Sequence, residues 1–205
     1  MASELLLPLF PLEVVLLPGA SLPLHIFEER YKLMIGEAVE QHSEFGVVMA
    51  KEGGIAHVGC TAGVERVVQR YPDGRLDIAT RGRRRFEILF LDEQESYLRG
   101  AVHFFEDDPE TGASGDAVGR LEAMFEKVAP LLPSPQEGSA DGPSGAFRIA
   151  AALPLEVEFK QRLLGSHSEA ERVEWLSQYL EKLGPRLELA RRVERRARGN
   201  GKGRG

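Results

Sequence analysis

A chain of 205 residues that is 42% hydrophobic and 28% charged has the composition of an ordinary globular protein. Folding at this length buries about 70% of the unfolded surface, so no disulfide or metal staple is needed. Its single cysteine, Cys60, excludes an internal disulfide and a thiolate-rich zinc site. The formal net charge is −6, but residues 186–205 hold eight Arg or Lys against Glu188 and Glu194, which leaves the rest near −12 and poorly suited to a phosphate backbone.

The opening "MASELLLPLFPL" lacks the positive start of a secretory signal and reads as a mature first strand. Pro11, Glu13, Pro18 and Pro23 interrupt the apolar residues before they reach the roughly 18 a membrane span needs. With one cysteine, a reducing, cytoplasmic setting is the expectation. "LHIFEERY", residues 24–31, then joins an apolar strand to an acidic helix start. From Glu28, the spacing of Tyr31, Met34, Ile35, Ala38 and His42 predicts a helix, with Glu28 and Glu29 in its first turn where the dipole favours negative charge.

In "IAHVGCTAGV" the alternation puts Ala56, Val58, Cys60, Ala62 and Val64 on one face of a strand and His57, Gly59, Thr61 and Gly63 on the other. Pro72-Asp73-Gly74 marks a hairpin turn between the next two runs. "FEILFL" alternates Phe86, Ile88 and Phe90, and "YLRGAVHFF" supplies a strand with Val102 and Phe104 on one side. Past Asp107 the pattern turns helical. Helices are predicted over 117–132, 146–153, 156–165, 168–184 and 186–198, with a flexible loop over 133–145. Ser168 with Glu171 forms a capping-box signature, and Gly184-Pro185 reads as a stop followed by a restart.

None of the candidate constellations makes a persuasive reaction centre. His25, Glu28 and Glu29 fall short of H-x-x-E-H, because Glu29 stands where the second histidine belongs. A hydrolase using His25 with Glu28 is the remaining enzymatic reading. His57 and Cys60 point to opposite faces of an alternating strand and cannot share an ion there. Gly201-Lys202 is followed by Gly203 rather than Ser or Thr, so no Walker motif is present, and no G-x-S-x-G elbow occurs. Catalytic residues, metal and cofactor are all expected to be absent. "RGRRRF" is the most basic stretch of the body. On a strand it places Arg81, Arg83 and Arg85 on one face and Arg84 and Phe86 on the other, a stripe either paired with nearby acids or open to nucleic acid.

Taken together, "LPLFPLEVVLLPGASLPLHIFEERYKLMIGEAV", "VGCTAGVERVVQRYPDGRLDIATRGRRRFEI" and "LPLEVEFKQRLLGSHSEAERVEWLSQYL" resemble the substrate-binding N-terminal domain of the ATP-dependent protease La, or Lon, over about residues 5–183. The resemblance implies an α+β fold. It comprises a PUA-like β-barrel subdomain over 1–110 with one inserted helix, a helical subdomain over 111–198, and a flexible tail over 199–205. The family's AAA+ ATPase and Ser–Lys protease modules have no counterpart in this sequence, so the expectation is a stand-alone, non-enzymatic binding protein for peptide or unfolded-protein segments.

An accessible strand edge would add an extended peptide through its backbone, and a groove between barrel and helices would take side chains. Phe27, Arg30 and Tyr31 are the peptide-contact candidates, with core packing as the other reading of Phe27 and Tyr31. The alternative is a PUA-like RNA-binding or RNA-associated module contacting phosphate through Arg81, Arg83 and Arg85. Client polypeptides and a full-length Lon-type protease are the partners the resemblance implies. A homodimer would cover an exposed edge, whereas nucleic acid and membrane are not expected.

Overall fold

Six strands and five α-helices follow one another in the computed structural model, which describes residues 6–132 and 145–200, with side chains of the last helix described as far as Val193. The first half comprises β1 (Leu7–Leu12), β2 (Ser21–Ile26), α1 (Glu29–Gln41), β3 (Phe45–Lys51), β4 (Gly54–Arg70), β5 (Leu76–Asp92) and β6 (Arg99–Phe104). The second comprises α2 (Gly115–Val128), α3 (Ala146–Ala152), α4 (Val157–Gly165) and α5 (Glu169–Asn200). Apart from α1, which stands between β2 and β3, strands and helices are thus segregated, an α+β arrangement. The expected loop over 133–145, apart from Gly145, and the expected tail from residue 201 onward lie outside the described residues, while Gly199 and Asn200, expected in that tail, end α5 instead.

Two strands of 17 residues dominate the sheet, where the sequence pattern suggests four shorter runs. Their turn is the one Pro72-Asp73-Gly74 predicts: Tyr71 N donates to Arg75 O at 3.0 Å, and Gly74 has φ 84°, a left-handed conformation that favours glycine. One edge of β5 pairs with β4; the other pairs first with β2 and then with β6. Because β6 also reaches β1, and β1 runs parallel to β3, strands β1, β3, β4, β5 and β6 close into a ring with β2 outside it.

Where β5 passes from one partner to the next, the loop between β1 and β2 lies against it. Gly19 N donates to Gly82 O and Gly82 N to Ala20 O, both at 2.9 Å. A Cβ on Gly82 would stand 2.2 Å from Leu17 O, so only glycine fits. Two irregularities overturn simple alternation along this strand. One register shift, between Cys60 and Ala62 of β4, sets both Arg83 and Arg84 outward, and Thr61 Oγ1 accepts from Arg84 N at 3.0 Å. The other, between Ile88 and Phe90, leaves Phe86 and Ile88 buried but turns Phe90 out to 50% exposure.

The larger apolar cluster joins Phe10 of β1, Phe45 of β3 and Cys60 of β4 to α1 and to Phe147, Leu163 and Leu176 of the helical half. A smaller cluster of Leu9, Val48, Phe86 and Ile88 occupies another part of the sheet. Helix α1 buries Tyr31, Met34, Ile35 and Ala38, as their spacing predicts, but His42 ends the helix with φ 52° instead of extending the stripe. In the last helix the predicted break is missing, and α5 runs on through Gly184-Pro185. A proline removes one backbone hydrogen bond and crowds the preceding turn without forcing termination. Leu183 and Leu187, on either side, both pack on the core and hold the two halves of the helix in line.

Candidate functional site

The seam between sheet and helices is held by a buried ionic cluster. Arg85 of β5 and Arg172 of α5, 6% and 1% exposed, converge on the Asp107 carboxylate that follows β6. Arg85 donates to Asp107 Oδ1 at 2.6 Å and to Ser166 O at 2.5 Å. Arg172 donates to Asp107 Oδ1 at 2.9 Å, Ser166 O at 2.8 Å and Glu169 Oε2 at 2.6 Å, and also contacts Asp107 Oδ2. Glu169 caps α3 by accepting from Ala146 N at 2.8 Å. Burial pushes the Asp107 carboxyl up, but the Arg172 hydrogen bonds and the charges of Arg172 and Arg85 outweigh it and hold it below the usual range. Burial also lowers the Arg85 guanidinium, whereas for Arg172 its hydrogen bonds to Asp107 and Glu169 outweigh burial and raise it.

Beside this cluster lies a groove of about 930 Å³ whose wall includes Arg83, Arg84, Phe104, Phe105, Val118 and Phe147. Arg84 sits 4.0 Å over the Phe104 ring, a cation–π contact, and donates to Glu44 Oε2 at 3.1 Å. Phe104 remains 39% exposed. Among the described residues no carboxylate lies within salt-bridge distance of Arg83, which is exposed at the bulge. A second groove, about 360 Å³, runs between the end of α1 and the part of β4 beyond Ala62, where the pairing with β3 stops. Arg83 borders both grooves.

The residues singled out from the sequence do not form one surface. Phe27 is 61% exposed and stacks on the His25 ring at 6.0 Å, so it is not core. Tyr31 is buried against Phe10, with ring centroids 4.1 Å apart. Arg30 lies over the outer side of the Tyr31 ring and bonds Glu28 at 2.8 Å. His25 meets Asp77 at 2.5 Å, and Tyr71 donates to the same carboxylate at 2.7 Å, so His25 and Glu28 do not act as a pair. Hydrogen bonds from His25 and then Tyr71 lower the Asp77 carboxyl.

The arginine stripe is divided. Arg81 pairs with Glu65 and donates to Gly19 O at 3.1 Å, Arg85 belongs to the buried cluster, and Arg83 remains on the surface. His57 is exposed and Cys60 fully buried, on opposite faces as the alternation predicts. No group of three or more His, Cys, Asp or Glu among the described residues is placed to hold a metal ion, and none of the described helices is long and apolar enough to cross a membrane. Sequence reasoning missed Phe104, Phe105 and Phe147 as groove residues. No local pattern marks them, because β6 ends at Phe104, Phe105 follows it and Phe147 comes from α3, and the groove exists only where these segments meet.

Geometrically this is an α+β domain with open grooves along the seam of sheet and helices. The chain belongs to the ATP-dependent protease La (LON) substrate-binding domain family, whose model matches residues 6–182. It is 29% identical over 210 residues to Lon protease 2 of Herpetosiphon aurantiacus, covering 94% of this chain and 26% of that protein. A Lon protease of Parabacteroides distasonis is 36% identical over 110 residues, 49% of this chain and 13% of the relative. The chain thus spans about a quarter of the length of the first of these relatives and its match to the second about an eighth. Among solved structures it is similar to a Lon N-terminal domain protein from Xanthomonas campestris, with TM-score 0.62, 29% identity, and 85% of this chain and 98% of that one covered. The N-terminal domain of the Mycobacterium avium complex Lon protease shares the fold at TM-score 0.62 and 17% identity, over 86% of this chain and 98% of that one.

Proposed function

We propose that the chain binds extended or unfolded polypeptide segments and performs no chemistry on them, with the groove between β5–β6 and helices α2 and α3 as the contact surface. The observation that carries this reading is the groove's side-chain set. Phe104, 39% exposed, offers aromatic area, while Arg83 and Arg84 stand beside it as cations. An aromatic surface among charged side chains of both signs, with Glu106 and Glu122 also on the wall, suits a mixed polypeptide strand. The family supports the same reading, since its domains are described as substrate-binding. Client proteins are then the ligands, and a full-length Lon-type protease in the same cytoplasm is the partner to which a client would pass. Arg81 and Arg85 are already bonded to Glu65 and Asp107, which leaves the nucleic-acid alternative little of its stripe.

A fluorescently labelled, permanently unfolded protein should bind the full chain, and its folded form and an inert acidic control should not. Phe104→Asp should weaken that binding about tenfold or more, corresponding to roughly 1.4 kcal/mol or above. Added salt should change it only mildly, whereas phosphate contacts would lose affinity steeply. Equal signals for the unfolded protein and the acidic control would refute the reading.

A further inference from the structure

A third concavity, about 430 Å³, lies on the other side of the β1–β2 loop from the Phe104 groove: Pro18 lines that groove, while Val14, Val15, Leu16 and Leu17 line this one. Its wall is completed by Leu22 of β2 and by Lys160 of α4, the one charged residue among its described lining. No carboxylate of the described residues is within salt-bridge distance of that ammonium. Burial is the sole influence that moves the Lys160 pKa, and it moves it down. An amine partly withdrawn from water without a counter-ion is an anion site in waiting, because an incoming carboxylate recovers the energy its desolvation costs.

The surroundings narrow the anion further. Apolar side chains reach the pocket from the β1–β2 loop, from β2 and, through Ala151, from α3, so the ligand must carry its carboxylate next to an apolar group. Backbone is available as well. Among the described residues β2 is the end strand of the sheet order, pairs only with β5, and contributes Ser21, Leu22 and Pro23 to the lining. A polypeptide adds to such an edge by main-chain hydrogen bonds, which an acyl chain cannot make. A terminal Leu or Val places an apolar side chain and a carboxylate on one residue, whereas an internal Asp or Glu provides only the charge.

We propose that this pocket takes the C-terminus of a polypeptide, its last apolar side chain against Val15, Leu17 and Leu22 and its α-carboxylate on Lys160. The inference rests on the polypeptide-binding reading above and adds an end-specific site to it. The Phe104 groove then holds interior segments, and the Lys160 pocket selects chains by how they finish.

The test compares two labelled peptides of one sequence ending in leucine, one with a free carboxylate and one amidated, by fluorescence anisotropy against the full chain. The free acid should bind about tenfold or more tightly than the amide. Lys160→Met should abolish the preference and Lys160→Arg should keep most of it, with thermal melts confirming that both variants fold. Equal binding of acid and amide overturns the inference while leaving the polypeptide reading intact. Binding of neither peptide, or binding of palmitate alone with the same dependence on Lys160, overturns this inference, and the former outcome removes the broader reading as well.

Discussion

At Asp107 two arginines with almost no access to water share one carboxylate, and the residue's acid response follows from that. The folded carboxyl titrates below its unfolded value of about 3.9, so the unfolded chain takes up the proton first as acid is added. The stabilisation is complete above that unfolded value and is lost as pH falls through it toward the folded value. Urea unfolding should show stability dropping below about pH 4, and less steeply in Asp107→Asn. At neutral pH that variant should lose about 3 kcal/mol, because it leaves two buried guanidinium groups short of charge. Cys60 gives a second test. Burial pushes its thiol up to about 12, so thiol reagents should leave it unlabelled in the native protein and label it once urea unfolds the chain. Tyr31 was legible as core from its place on the α1 stripe. The exposure of Phe27 was not legible, since a position between a strand and a helix belongs to neither periodicity.

Elements of regular period were read well, and their irregularities were not. α1 was visible from Tyr31, Met34, Ile35 and Ala38 because helix contacts recur over three and four residues. The bulges of β5 were invisible, since nothing in "RGRRRFEILFL" announces that the partner strand slips by one residue. This is why the arginines do not share a face and Phe90 does not follow Phe86 and Ile88 inward. α5 shows the opposite error: Gly184-Pro185 has the chemistry of a stop, but packing on both sides overrides it. The Ser168 cap was only half read. Its hydroxyl accepts from Glu171 N at 3.2 Å, but the Glu171 carboxylate bonds the Ser166 hydroxyl at 2.9 Å instead of returning to Ser168 N. Gly82 is the element-scale test. Gly82→Ala drives a methyl into Leu17 O, and the β1–β2 loop must lift to admit it. A loss of about 1–3 kcal/mol is expected in denaturant unfolding, with proteolytic cutting appearing within residues 13–20.

For the molecule as a whole, the division near Asp107 into strands and then helices could be read from periodicity, but the closure of the sheet could not. β1 pairs with β3 and β6 across long separations, which no local pattern records. The grooves share that obscurity, because each is made where segments distant in sequence come together. β5, β6 and α3 enclose one; the β1–β2 loop and α4 enclose another. The seam cluster of Arg85, Asp107, Glu169 and Arg172 ties both halves together, and the Phe104 groove lies along that frame.

Hydrogen–deuterium exchange of the full chain, with and without a saturating unfolded polypeptide, asks most directly whether that frame is a binding surface. Slowed exchange in residues 82–85 of β5, in β6 and at the start of α3 is the predicted result. Unchanged exchange in those segments, or protection restricted to the arginine-rich end of α5, would contradict the account.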